Sequence, residues 1–92
     1  MTIELKDTAE LMSSPKYHER LKAEYQQLNI RINKLEIMLE NYKAGTLTFK
    51  PACSYELLLE QLVYMKNYRR ILEMRSEIED INIYYMPRKS ED

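Results

Sequence analysis

The second half of the chain concentrates tyrosine and basic side chains that could bind a phosphorylated aromatic compound. The residues with this chemistry are Tyr64, Lys66, Tyr68, Arg69 and Arg75. A tyrosine ring can stack on a base, and an arginine guanidinium makes paired hydrogen bonds to a phosphate, whereas a lysine ammonium acts as a point charge. In a helix, Tyr64, Tyr68 and Arg75 share one face. The pattern predicts that the two rings stack on a base while Arg69, Arg75 and Lys66 bind phosphates.

The same residues also have simpler structural interpretations. Tyr64 and Tyr68 are of a type common in cores and interfaces, and Lys66 and Arg70 fit a solvated helix face. Arg69 is different because it interrupts an apolar row, where an unpaired buried guanidinium would be strongly unfavourable. Its acceptor is either a carboxylate of another subunit or a phosphate of a ligand, and the sequence does not choose between them.

Residues able to perform catalysis are scarce. His18 is the only histidine and Cys53 the only cysteine, and neither can be combined with other side chains into a Ser-His-Asp or Cys-His arrangement. The sequence also lacks metal-ligand spacing and a glycine-rich phosphate loop. We therefore expect a binding protein that is not an enzyme and that uses no cofactor and no metal.

The composition indicates one small all-α domain. The chain has 92 residues, with only one glycine and three prolines, which suits long helices. At this size a two-helix core is marginal, and oligomerisation is a common remedy. The net charge of −1 gives no reason to expect duplex nucleic acid or a membrane as partner. Because the sequence has neither an apolar run of about 18 residues nor a signal peptide, we expect a cytoplasmic protein.

The predicted element that carries the candidate site is a helix over residues 54–83. Its apolar residues form two adjacent rows at helical spacing. One row contains Leu58, Leu62, Met65 and Leu72, and the other contains Leu57, Tyr64, Ile71 and Ile78. Together the rows are wider than the roughly 100° stripe that packs on one neighbouring helix. The helix therefore needs a second neighbour, and we expect a homo-oligomer.

A second long helix is predicted over residues 15–43, after the start signal Ser14-Pro15 and before Gly45. Its apolar residues follow the alternating spacing of four and three that is typical of a coiled-coil seam. They are Leu21, Tyr25, Leu28, Ile32, Leu35, Leu39 and Tyr42. The short connection and matched lengths predict an antiparallel two-helix hairpin over 15–83. Residues 1–14 would form an N-terminal arm or short helix, and residues 84–92 a C-terminal tail.

Two segments carry motifs that resemble a known group of proteins. They are residues 19–39, ERLKAEYQQLNIRINKLEIML, and residues 48–75, which contain an F-K-P-x-C junction followed by L-L-x-x-Q-L-x-x-M-x-x-Y-x-x-I-L-x-x-R. Both resemble a family of small phage-encoded proteins first noted in crAss-like phages. The resemblance implies a phage protein that acts in the cytoplasm of the host cell.

A more distant resemblance concerns the hairpin and the Q-L-x-x-M pattern of Gln61, Leu62 and Met65. These features are similar to helical-hairpin sponges with which phages blunt the CBASS and Thoeris defence systems. The resemblance implies a homo-oligomer that sequesters a cyclic oligonucleotide or a cyclic ADP-ribose-type signal without cleaving it. No ligand-contacting residue of those proteins is carried over to this chain.

The sequence thus leads to one hypothesis and one alternative from another class. The hypothesis is an immune-evasion protein that binds a nucleotide second messenger at subunit junctions, with Tyr25 or Tyr84 as further candidates for stacking. The alternative is a coiled-coil interaction protein whose second apolar face binds a host or phage protein.

Overall fold

The computed structural model describes residues 3–84, which form three α-helices. They are Leu5–Met12 (α1), Tyr17–Ala44 (α2) and Tyr55–Ile78 (α3). Both α1 and α3 pack against α2, and among the described residues they do not pack against each other. The all-α prediction is confirmed. Residues 3–84 contain three helices where the hairpin prediction counts two, and the third, α1, lies in the segment 1–14 for which an arm or a short helix is expected. No helix within residues 3–84 is both long and apolar enough to cross a membrane.

The helices α2 and α3 run antiparallel, as their side-chain contacts show. The contacts are between Tyr42 and Tyr55, Glu36 and Lys66, Asn29 and Arg69, and Tyr25 and Glu73. Residue numbers fall along α2 while they rise along α3, which defines the antiparallel direction. The short connection at 45–54 permits this arrangement.

The buried core lies mainly along α2. Its members are Leu21, Tyr25, Leu28, Ile32 and Leu39 of α2, Leu62 and Leu72 of α3, and Ile83. Five of the seven residues of the predicted seam are therefore buried, because the spacing of four and three keeps them on one side of the helix. Leu35 and Tyr42, the other two, are half-buried. The helix α3 places fewer residues in the core, although it is 24 residues long.

Local sequence explains where the long helices meet their connecting loop. Gly45 ends α2 in the left-handed conformation at φ 74°, which a residue without a Cβ adopts without strain. The Oγ of Ser54 accepts a hydrogen bond from the Leu57 amide at 3.1 Å and caps α3. At the other end, α2 begins at Tyr17, two residues later than the Ser14-Pro15 signal predicts.

The C-terminal end of α3 differs from the prediction. The helix ends at Ile78, and not at Ile83, because the chain turns at Asp80, which has a positive φ of 56°. Beyond the turn the chain folds back so that Ile83 is fully buried, and its carbonyl accepts a hydrogen bond from Gln26 Nε2 at 2.8 Å. Of the predicted tail at 84–92, only Tyr84 lies within the described residues.

Candidate functional site

One side of α3 carries a row of large apolar and aromatic side chains that are exposed to solvent. We call this surface the outer face of α3, and it consists of Leu57, Val63, Tyr64, Tyr68, Ile71, Met74 and Ile78. Their exposed fractions range from 42% for Tyr68 to 83% for Ile78. Helical periodicity separates them from Leu62 and Leu72, which face α2. So continuous an apolar surface is typical of a binding site or an interface.

The five predicted site residues do not form one cluster within the chain. Tyr64 and Tyr68 lie on the outer face, and Arg75 follows at the same helical register. Lys66 projects from nearly the opposite side of α3, where its Nζ lies 2.6 Å from Glu36 Oε2. The Lys66–Glu36 pair is substantially exposed, so it contributes little to stability.

Arg69 finds an acceptor that the sequence interpretation did not consider. Its side chain is half-buried against α2, and Nη1 donates a hydrogen bond to Asn29 Oδ1 at 3.0 Å. The acceptor found within residues 3–84 is a neutral amide of the same chain. An arginine carries five N–H donors, so this bond satisfies part of the guanidinium only.

Arg75 joins a cluster at the end of the molecule where α2 begins and α3 ends. Its Nη2 donates a hydrogen bond to the Tyr17 hydroxyl at 2.5 Å, and its Nε lies 3.5 Å from Glu79 Oε2. The hydrogen bond with Tyr17 is the main cause that raises the pKa of Arg75. The Arg20 guanidinium lies over the same tyrosine ring, with its Cζ 5.9 Å from the ring centroid. This distance is typical of a cation–π contact.

Sequence reasoning missed Tyr17 and Arg20. Their spacing of three residues predicts that they are neighbours on a helix. The contact of Tyr17 with Arg75, however, joins residues 58 positions apart in the chain. No local pattern contains that information.

Tyr25, one of the two further candidates for stacking, is a core residue with only 4% of its surface exposed. Its hydroxyl donates a hydrogen bond to Glu73 Oε2 at 2.7 Å. Burial, followed by this hydrogen bond, raises the pKa of Tyr25 to about 12. Tyr84 packs edge-on against it, with ring centroids 5.4 Å apart, and remains exposed. Tyr25 is therefore unavailable for stacking on a ligand, whereas Tyr84 keeps an accessible surface.

An open groove of about 530 Å³ lies between α2 and α3 near the connecting loop. Its lining residues are Glu36, Leu39, Glu40, Lys43, Ala44, Tyr55, Leu59 and Leu62. The lining is unfavourable for a phosphate, because the carboxylates of Glu36 and Glu40 outnumber the ammonium of Lys43. None of the five predicted site residues lines the groove, so we place the candidate site on the outer face of α3.

The side chains most suited to metals are dispersed. His18 and Cys53 are both exposed. Within residues 3–84, no three histidine, cysteine, aspartate or glutamate side chains converge so that they could hold a metal ion.

Comparison with known proteins relates the chain to a protein family and to a phage T4 protein. The family model described as Sequestin matches residues 15–78, which contain all of α2 and α3. The chain is also 44% identical, over 59 residues, to an uncharacterized 7.5 kDa protein in the denB-rIIB intergenic region of Enterobacteria phage T4. That match covers 64% of this chain and 88% of the T4 protein. No solved structure matches.

Proposed function

The chain belongs to the Sequestin family, and from this premise we propose that it sequesters a nucleotide second messenger of the cyclic oligonucleotide or cyclic ADP-ribose type without cleaving it. The family name itself suggests sequestration. The similarity to a phage T4 protein supports a role in phage infection. Such a role would be to withdraw the signal of a host defence system such as CBASS or Thoeris.

The observation that carries this proposal is the outer face of α3. Tyr64 and Tyr68 expose 65% and 42% of their surfaces, and Arg75 lies on the same side of the helix. Stacking of a base on an aromatic ring contributes about 1–3 kcal/mol, and a guanidinium supplies hydrogen bonds to phosphate. In this proposal the site binds through stacking and charge, and the ligand is released intact.

The apolar residues of the same face support a homo-oligomer. Ile71 and Ile78 are 50% and 83% exposed, and a second copy of the chain would remove them from water. Burial of apolar surface stabilises association by about 25 cal/mol per Å² before the cost of ordering. In such an assembly the nucleotide lies at the junction between subunits. Lys66 and Arg69 reach it only by releasing Glu36 and Asn29, so Tyr64, Tyr68 and Arg75 carry most of the binding.

The second candidate function is a protein-binding module. The same exposed apolar residues favour it, because an interface core is built of such side chains. In this function the outer face of α3 binds a host or phage protein, and the tyrosines serve as interface anchors.

The test begins with the native mass of the purified protein by light scattering. Thermal unfolding and calorimetric titration then follow with cyclic dinucleotides, cyclic trinucleotides and cyclic ADP-ribose isomers. A ligand that binds only the folded state raises the melting temperature by mass action. We expect one ligand class to do so, and we expect chromatography to recover it chemically unchanged after the protein is denatured.

The variants of this test separate the site from the rest of the helix. Tyr68→Ala and Arg75→Ala should each weaken binding at least tenfold. Arg70→Ala is the matched control, because Arg70 is an exposed arginine of the same helix whose Nη1 donates a hydrogen bond to the Met74 sulfur at 3.6 Å. A wild-type protein indifferent to every nucleotide that co-purifies with one stoichiometric protein partner would establish the second candidate function instead.

A further inference from the structure

Two arginines from distant parts of the sequence converge on one tyrosine ring. Arg75, in the last turn of α3, donates to the Tyr17 hydroxyl, and Arg20, in the first turns of α2, lies over the face of the ring. Tyr17 is 44% exposed and Arg20 is exposed, so the cluster is open to solvent. Two positive charges therefore lie beside the same ring, one at its hydroxyl and one over its face, and both attract an anion.

Both guanidinium groups retain donors for such an anion. Arg20 uses Nη1 on the Ser14 carbonyl at 2.7 Å, and Arg75 uses Nη2 on Tyr17 and Nε near Glu79. Among the described residues, this leaves Nε and Nη2 of Arg20 and Nη1 of Arg75 for another acceptor. The Arg75–Glu79 pair has a separation of 3.5 Å and exposed side chains, so an incoming anion can displace it at little cost.

The surroundings of Tyr17 are basic. The segment 16–22 contains the cations Lys16, Arg20 and Lys22 against the carboxylate of Glu19, and the Glu79 carboxylate lies near Arg75. The Glu19 carboxylate accepts a hydrogen bond from Ser14 Oγ. The α2 helix begins at Tyr17, so the positive end of its dipole adds to the potential at the same place. The acidic groove near the connecting loop lies toward the opposite end of the hairpin.

We propose that Tyr17, Arg20 and Arg75 form a subsite for the phosphate or pyrophosphate group of the ligand. The identification of that ligand as a nucleotide rests on the proposed function. Tyr68 precedes Arg75 by seven residues on the same face, which separates them by about 10 Å along the helix axis. A base stacked on Tyr68 therefore directs its phosphates toward Arg75 and Arg20. Lys66 and Arg69, which are paired elsewhere, are not needed for phosphate binding.

The experiment titrates wild-type protein and the variants Arg20→Ala, Arg75→Lys and Arg31→Ala by calorimetry at low salt. The probes are sodium pyrophosphate, a cyclic dinucleotide and cyclic ADP-ribose. We expect Arg20→Ala to weaken pyrophosphate binding about ten- to hundredfold, because it removes a charged donor. Arg75→Lys should weaken it less, since the charge remains and the paired geometry is lost. Arg31→Ala, which removes an exposed arginine elsewhere on α2, should change it less than twofold.

Two outcomes distinguish the subsite from the proposed function. Unchanged binding of pyrophosphate and nucleotides by Arg20→Ala, with unchanged native mass and circular dichroism, would overturn the subsite and leave nucleotide sequestration standing. Arginine-dependent binding of pyrophosphate without binding of any nucleotide would support the subsite and contradict sequestration of a nucleotide. Absence of pyrophosphate binding by the wild-type protein would also overturn the subsite.

Discussion

The two faces of α3 have similar apolar content but different environments. The inner face places Leu62, Leu72 and Ser76 in the buried interior. The outer face leaves Ile71 and Ile78 at least half exposed. The difference arises because α2 covers one side of α3 while α1 packs against α2. Burial of an apolar residue thus depends on where its neighbouring helices lie, and not on its hydrophobicity alone.

The polar residues of α3 also differ between its inner and outer faces. On the inner side, Arg69 bonds to Asn29, and Glu73 accepts a hydrogen bond from Tyr25. On the outer side, Arg75 contacts Tyr17 while remaining open to solvent at the proposed subsite. All three contacts join α3 to α2, but the outer one lies where solvent can reach it. In the proposal above, an incoming anion competes for the donors of Arg75.

The largest expected loss of stability follows the replacement of a buried leucine, and its exposed neighbour provides the comparison. Leu72→Ala should lower the free energy of unfolding by about 2–5 kcal/mol, because it creates a cavity at a fully buried position. Ile71→Ala should cost the isolated subunit less than about 1 kcal/mol. Urea unfolding over a range of protein concentrations measures both. If a second copy covers the outer face, the cost of Ile71→Ala grows with protein concentration, and a constant cost would contradict such an assembly. Equal costs of Leu72→Ala and Ile71→Ala at low concentration would contradict the division into two faces.

An intermediate loss of stability is expected when the first of two adjacent arginines is replaced, but not the second. Arg69→Ala should lower the free energy of unfolding by about 1–3 kcal/mol, because it removes the partner of a half-buried Asn29. Arg70→Ala should change it by less than about 0.5 kcal/mol, since Arg70 is exposed. Urea unfolding measures these values, and a double-mutant cycle with Asn29→Ala isolates the coupling. A coupling near zero would show that the Arg69–Asn29 bond does not hold the two helices in register.

The smallest expected loss of stability depends on pH and concerns the hydroxyl of Tyr25. Tyr25→Phe should lower the free energy of unfolding by about 1 kcal/mol at neutral pH, because Glu73 loses its hydrogen-bond donor. The pKa of Tyr25 is raised to about 12 in the folded state, above the ordinary value of about 10. Its contribution is therefore fully present below about pH 10 and is lost as the pH rises toward 12.

The measurement compares urea unfolding of wild-type and Tyr25→Phe protein from pH 7 to pH 12. We expect the difference in stability to be constant up to about pH 10 and then to shrink. Tyr64→Phe provides the control, because Tyr64 is exposed on the outer face. A difference that grows above pH 10 would mean that the Tyr25–Glu73 contact does not stabilise the folded state.

The elements with strong local patterns could be predicted from the sequence. The seam of α2 was predicted correctly, because its spacing is a property of one helix. The C-terminal end of α3 was not, since Ile83 fits the helical period but is buried after a turn at Asp80. Helical periodicity describes the spacing of apolar residues only. It does not reveal that Asp80, a residue other than glycine, adopts a left-handed conformation.

Part of the candidate site could likewise be predicted from the sequence, and part could not. The common face of Tyr64, Tyr68 and Arg75 follows from helical geometry and was predicted. The partners of Lys66 and Arg69, and the contact of Arg75 with Tyr17, required the packed structure. Each of these contacts joins α2 to α3 across tens of residues.

The sequence by itself determined the helical content, the seam of α2 and the presence of two apolar rows on α3. These features depend on interactions within a few residues, which composition and spacing encode directly. Only the tertiary structure decided which row of α3 is buried and which basic residues are held by partners in the same chain. Those outcomes depend on where α2 lies, and a free helix has no preferred inner face until another helix covers it.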